Sequence, residues 1–156
     1  MNLSDRITQL AEQHFEDLVA TRRHLHSRPE LSFEEYETTK FIAQKLKDTG
    51  YDLEKITETG GFIDIQGKNP ESKTIALRGD IDALPILEQN DVEYKSKNEG
   101  KMHACGHDVH TTCLLGAVRI LDELKGEFEG TVRCIFQPGE ERLPGGASIL
   151  IKNGVL

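Results

Sequence analysis

Apolar residues in the first part of the chain recur at helical spacing: Leu3, Ile7, Leu10, Ala11, Phe15, Leu18, Val19 and Leu25. Polar residues fill the intervals, so the pattern predicts one amphipathic helix over residues 3–27. Arg28-Pro29 ends it, because the residue before proline is pushed out of the helical region. Ser32-Phe33-Glu34-Glu35 has the spacing of a capping box, in which the serine caps the helix and the glutamate reaches back. A second helix is expected to run from there to about residue 48, closed by Gly50.

The period then changes. Residues 51–57, 61–67 and 73–78 read as short strands, with Gly60-Gly61 and Lys68-Asn69-Pro70 as turns. Thr74-Ile75-Ala76-Leu77 is a nearly continuous apolar run, as in a strand covered on both faces. Residues 88–101 form a polar loop, and residues 111–125 return to helical spacing through Leu114, Leu115, Val118, Leu121 and Leu124. Residues 131–136 predict another buried strand, and residues 145–152 a last helix before Asn153-Gly154. The order α-α-β-β-β-α-β-α predicts an α/β sandwich with a mixed sheet: an early hairpin, then strands joined by a helical crossover.

A length of 156 residues suits one domain with its own core, and no internal repeat or low-complexity tract divides it. The formal net charge is -8 and the chain has no basic cluster, so nucleic acid is not expected as a partner. No apolar run reaches membrane-spanning length, and the polar start Met1-Asn2-Leu3-Ser4-Asp5-Arg6 has no secretory apolar core. Three cysteines, an odd count, argue against a disulfide framework and for a reducing cytoplasm. Cys113 and Cys134 sit among apolar neighbours and read as small buried hydrophobes.

The candidate chemistry lies in three places. Cys105 and His107 flank Gly106, whose flexibility lets both side chains face one point. A thiolate is a strong zinc ligand, and imidazole suits zinc, manganese, nickel or cobalt. Asp108 is a candidate acceptor for a ligand imidazole. His103 and His110 are left open between metal, substrate and structural roles. Glu140-Glu141 follows Pro138-Gly139 at a strand end, where adjacent side chains point to different targets. One could hold metal and the other a water; the spacing does not say which. Asp80-Ile81-Asp82 puts two carboxylates on one side of an extended segment, where one could orient a ligand or tune a base. All three clusters fall at strand ends or just before helices, where open α/β sheets place their sites. Together they suggest metal-assisted hydrolysis. A cysteine hydrolase built on Cys105 is the competing chemistry, but it leaves the carboxylate pair without a task.

Four segments carry a resemblance, in order: Leu25-His26-Ser27-Arg28-Pro29-Glu30-Leu31-Ser32-Phe33-Glu34-Glu35, Arg78-Gly79-Asp80-Ile81-Asp82-Ala83-Leu84-Pro85, Met102-His103-Ala104-Cys105-Gly106-His107-Asp108 and Phe136-Gln137-Pro138-Gly139-Glu140-Glu141. With them the chain resembles the metallo-amidohydrolases of the aminoacylase/carboxypeptidase superfamily, in the branch of hippurate hydrolase, auxin-conjugate amidohydrolase and N-acetyl-diaminopimelate deacetylase. The resemblance implies a three-layer α/β sandwich of the zinc-peptidase kind, with a mixed, mostly parallel sheet. It also implies hydrolysis of the amide bond of small N-acyl amino acids by two divalent ions per complete site (zinc, manganese, nickel or cobalt). By motif position, Cys105, His107 and Glu141 are implied as metal ligands, Glu140 as general base and Asp82 as the acid supporting the site from behind.

Members of that family are considerably longer. They bring another ligand histidine on the next strand, a lid domain through which complete members dimerise, and a last ligand histidine after it. Residues 1–156 are therefore expected to be the N-terminal part of an incomplete catalytic domain. Alone, such a chain is expected to associate through its apolar strands and to be a truncated, inactive fragment. It would bind at most one metal weakly unless a complementing half is supplied.

Overall fold

A computed structural model describes residues 2–156. The first helix, α1 (Leu3–His26), begins where the Asn2 side chain accepts the N–H of Asp5 at 2.9 Å, and ends at Ser27, two residues before Pro29. The second helix, α2 (Tyr36–Lys47), is not capped as the spacing of Ser32 and Glu35 predicts. Glu30 takes that role, its carboxylate accepting the N–H groups of Glu37 at 3.2 Å and Thr38 at 2.7 Å. Ser32 instead donates to Asp82 at 2.6 Å. Glu35 accepts from the Gly139 N–H at 2.7 Å and the Thr59 hydroxyl at 2.8 Å. Both side chains are buried, and buried polar groups must find partners inside the fold rather than at an exposed helix end.

Three strands make the sheet: β1 (Gly61–Gln66), β2 (Thr74–Asp80) and β3 (Thr131–Gln137), in the order β1-β3-β2. β3 is central, antiparallel to β1 and parallel to β2. The parallel pair is joined through α3 (His107–Glu123), and a short α4 (Gly146–Lys152) follows β3. Residues 51–57 do not form the expected strand. One bridge, Glu54 to Phe62, is all that remains of the hairpin. β1 takes its long register from β3, while Tyr51 and Leu53 turn onto the core and the Tyr51 hydroxyl donates to Asp122 at 2.8 Å. Helix α3 also starts earlier than the apolar period indicates, with Gly106 as its cap and His107 as its first residue, so the candidate ligand turn leads directly into it.

Alternation along the strands sorts the core into two layers. On one face Ile63, Ile65, Cys134 and Phe136 meet Ile42 and Leu46 of α2 and Leu114, Leu115 and Val118 of α3. On the other, Phe62 and Ile135 meet Leu150 of α4 and Val155. α1 lies against α3, outside the first layer. The result is the expected α/β sandwich with a mixed sheet. β2, expected as an inner strand, is an edge of this sheet, with Ile75 53% and Leu77 36% exposed. No helix of the described residues is long and apolar enough to cross a membrane.

The polar loop before α3 is held by a buried node. His26 lies 2.7 Å from Asp108 through Nδ1 and 3.0 Å from Glu88 through Nε2. Glu88 also accepts from the Ser96 N–H at 2.6 Å and from Asn90 at 3.1 Å. Burial opposes the charge on Glu88, but His26, Ser96 and Asn90 outweigh it and bring its pKa from 4.5 to about 2. A depressed carboxylate contributes stability above its unfolded value, and that contribution is lost as pH falls through the folded one. We expect thermal melts to show stability falling between pH 4.5 and pH 2. Glu88→Gln should cost roughly 2 kcal/mol at pH 7 and flatten part of that acid decline. Melting curves that stay parallel to wild type at every pH would contradict this role.

Candidate metal centre

β2 delivers its last residues to the site. As the chain leaves the sheet, the Ile81 N–H donates to the Gln137 carbonyl at 3.0 Å, keeping β2 beside β3. Asp82 follows and is 1% exposed. Its Oδ1 lies 3.2 Å, and its carbonyl 2.9 Å, from His107 Nδ1. Its Oδ2 accepts from Ser32 and, at 2.9 Å, from the Glu141 N–H. Burial would raise the Asp82 pKa, but the bonds from His107, Ser32 and the Glu141 and Glu140 N–H groups bring it down to about 2. The ionised carboxylate keeps a proton on His107 Nδ1, so in the neutral ring Nε2 carries a lone pair.

Nε2 faces two other potential ligands. Cys105 Sγ, a His107 ring nitrogen and a Glu141 carboxylate oxygen all lie within 4.8 Å of one another. Nε2 is 3.8 Å from Glu141 Oε1, too far for a hydrogen bond. Ligand atoms around a tetrahedral zinc ion are about 3.5 Å apart, given bonds of roughly 2.0–2.3 Å. A thiolate, an imidazole nitrogen and a carboxylate oxygen suit zinc and its first-row neighbours. The residues present therefore fit a divalent ion.

A second grouping, Asp80, His107 and His110, shares His107. Both carboxylate oxygens of Asp80 are already engaged: Oδ2 accepts from Arg78 at 2.6 Å, and Oδ1 lies 2.6 Å from His110 Nδ1. The Arg78 guanidinium also opposes a cation there. Cys105–His107–Glu141 is accordingly the better centre.

The other sequence candidates divide around it. Glu140 is exposed beside Glu141, and its charge contributes to raising the Cys105 thiol pKa. Desolvation is the first cause of that rise, followed by a hydrogen bond with Glu141 and the charges of Glu141, Asp80 and Glu140. Asp82, not Asp108, meets the His107 imidazole, and Asp108 is turned to His26 with Arg22 Nε 2.9 Å away. His110 stacks on His107 with ring centroids 5.6 Å apart. His103 is buried with both ring nitrogens unpartnered, and burial lowers its pKa to about 4, which leaves it neutral. Cys134 is buried as expected, whereas Cys113 is exposed on α3.

Sequence reasoning missed Ser32, Glu35, His26 and Glu88. The Ser32–Glu35 spacing was absorbed by the capping-box reading, although both side chains serve the site. Glu35 holds the N–H of Gly139, whose φ is 58° and whose missing Cβ leaves room for the Phe33 ring. This pins the turn that presents Glu140 and Glu141.

A thiol, an imidazole and a carboxylate around one point, with a second carboxylate adjacent, are a donor set suited to a divalent metal. The chain belongs to Peptidase family M20/M25/M40, which matches residues 76–156, from within β2 onward. It is 42% identical over 153 residues to an N-acyl-L-amino acid amidohydrolase of Geobacillus stearothermophilus, a match covering 97% of this chain and 41% of the relative. It is 50% identical over 140 residues to an N-acetyl-L-cysteine deacetylase of Bacillus subtilis, covering 89% of this chain and 33% of the relative. The crystal structure of the YXEP protein of Bacillus subtilis, a dinuclear metal-binding peptidase of the M20 family, is similar with a TM-score of 0.87 and 42% identity. That match covers 93% of this chain and 41% of the other. The chain thus spans about a third to two-fifths of the length of these relatives.

A ligand role for Cys105 makes metal uptake compete with protons. Burial opposes charge on His107, but the hydrogen bond and charge of Asp82 and the charge of Asp80 raise its pKa, as the Cys105 thiol is also raised. Zinc affinity should therefore rise with pH, by about 100-fold or more between pH 6 and pH 8 in a competition titration. Cys105→Ser should cut bound zinc sharply, whereas Cys113→Ser should leave it unchanged. Equal metal content in the two variants would remove Cys105 from the centre.

Proposed function

We propose that this chain carries part of a metal-dependent amidohydrolase that cleaves the amide bond of N-acyl amino acids. The carrying observation is the convergence of Cys105, His107 and Glu141 with the Glu140 carboxylate beside them. The relatives named as an N-acyl-L-amino acid amidohydrolase and an N-acetyl-L-cysteine deacetylase support the substrate class. In this reading Cys105, His107 and Glu141 hold a zinc, manganese, nickel or cobalt ion, and a complete site takes two. A divalent ion held by these residues would supply Lewis acidity toward the scissile carbonyl and a bound water. Glu140 accepts the proton of the attacking water and passes it to the leaving amine. Asp82 positions His107 by fixing its tautomer and ring plane. Glu35 positions Glu140 through the Gly139 backbone.

The same reading takes residues 1–156 as the N-terminal part of a longer catalytic domain, with β2 accepting a further strand at its exposed edge. A lid domain outside these residues would mediate dimerisation. The three free cysteines fit a reducing, cytoplasmic setting. A narrower reading rests on Asp80 being engaged by Arg78 and His110. Among the described residues one ligand set is then available, so the chain alone would hold one ion and turn over little substrate.

The test is Glu140→Gln, assayed on N-acetyl and N-benzoyl amino acids with a complementing polypeptide that supplies the remaining length of a relative. It should keep its metal and lose roughly 10²–10⁴-fold in turnover. Loss of metal from Glu140→Gln, with retention in Glu141→Gln, would reverse the two roles. Substantial turnover by the wild-type chain without a complement would refute the narrower reading.

A further inference from the structure

Residues 31–34 close as a tight turn, with the Glu34 N–H donating to the Leu31 carbonyl at 2.9 Å. Phe33 is the third residue of that turn and has a φ of 67°. A positive φ there ordinarily selects glycine or asparagine, and for a bulky side chain it is strained. The chain thus carries a phenylalanine where glycine would sit without cost. Nothing local accounts for the choice, but the tertiary surroundings do.

The Phe33 ring rests on Gly139. A Cβ on that glycine would come 2.3 Å from Phe33 Cε1 and 2.4 Å from Cζ, so the ring fills the space its absence leaves. The neighbours of Phe33 grip the same region from other directions. Ser32 donates to Asp82, which meets His107. Glu35 accepts the Gly139 N–H at 2.7 Å and the Thr59 hydroxyl at 2.8 Å. The far side of the acidic turn is closed as well. The Gly146 N–H donates to the Gly139 carbonyl at 2.9 Å, and a Cβ on Gly146 would meet the Pro138 carbonyl oxygen at 1.7 Å. Residues 32–35 therefore touch both halves of the centre, the His107 half through Asp82 and the Glu140–Glu141 half through Gly139. Hydrogen bonds alone would leave Gly139 its wide backbone freedom. The ring removes it.

We propose that Phe33 is a positioning residue: its ring wedges Gly139 and so fixes the distance from the Glu140–Glu141 turn to His107, and its strained φ is retained for that contact. Strain of this kind persists where surrounding structure over-determines it, and it clusters at functional sites. The consequence for metal rests on the metal-hydrolase reading above, whereas the wedge does not.

The experiment measures three quantities on the whole chain. They are the zinc dissociation constant by chelator competition, hydrogen exchange of the Glu141 amide that is bonded to Asp82, and the melting temperature without zinc. In Phe33→Ala zinc affinity should fall about 10-fold and Glu141 exchange should quicken by a similar factor, because binding must then order about one more backbone residue. Phe33→Leu, the second variant should alanine prevent folding, keeps part of the bulk and should change both by about threefold. Ile65→Val, a core substitution near the far end of β1, should lower the melting temperature and leave both quantities unchanged. Phe33→Gly should melt above Phe33→Ala, because glycine meets a φ of 67° without strain.

In a chain that binds zinc, unchanged affinity or unchanged Glu141 exchange in a folded Phe33→Ala or Phe33→Leu protein would overturn the proposal. Equal losses in Ile65→Val, or a glycine variant melting no higher than the alanine one, would overturn it too. A wild-type chain that binds no zinc, but whose Glu141 exchange still quickens in Phe33→Ala, would uphold the wedge and sink the metal-hydrolase reading, so the two failures are distinguishable.

Discussion

One buried carboxylate organises the site. Asp82 sits at 1% exposure, where an unpartnered negative charge would cost several kcal/mol. It is tolerable because donors from three separate stretches of chain meet it: Ser32, His107 and the N–H groups of Glu140 and Glu141. Each donor is also a structural anchor. Ser32 brings the segment before α2, His107 the start of α3, and the Glu140–Glu141 backbone the turn after β3. Remove the carboxylate and these three pieces lose their common point of attachment, and His107 loses the bond that fixes its tautomer.

The same device recurs at two further histidines. His110 is held by Asp80, itself tied to Arg78, and His26 by Asp108 and Glu88. An acidic chain thus turns several of its carboxylates inward onto imidazoles. The arrangement separates by exposure: His26 and His107 are buried, while the His110 side chain is 52% exposed at the mouth. His107 and His110 are held through Nδ1, which sets the direction of Nε2, whereas His26 is held through both ring nitrogens.

Much of this was legible in the sequence because it is local. Amphipathic spacing located α1, and the apolar runs located β1, β2 and β3 to within a few residues. The candidate cluster was legible because Cys105 and His107 flank a glycine and Glu140-Glu141 follows a buried run, whereas the choice of Glu141 over Glu140 came only from the family resemblance. The failures share one cause, which is that tertiary partners outrank local pattern. Ser32 and Glu35 have capping-box spacing, yet their partners lie on Asp82 and Gly139, far along the chain. Residues 51–57 have strand composition, but β3 offers β1 a six-residue register against which a local hairpin cannot compete. The start of α3 was missed because its first turn is polar for the sake of the site and carries no apolar period. Glu88 lies in a loop with no period at all, and only the fold brings His26 to it.

The central place of β3 has a consequence for how the chain is made. β1 and β2 do not bond to each other; each bonds to β3, which lies between them. During synthesis both earlier strands leave the ribosome with no sheet partner. They remain exposed until residues 131–137 emerge and enter the gap. The sheet then forms in a single late event, and the turn carrying Glu140 and Glu141 arrives with it. Until that moment nascent chains carry bare strand edges, the kind of surface through which incompletely folded chains associate.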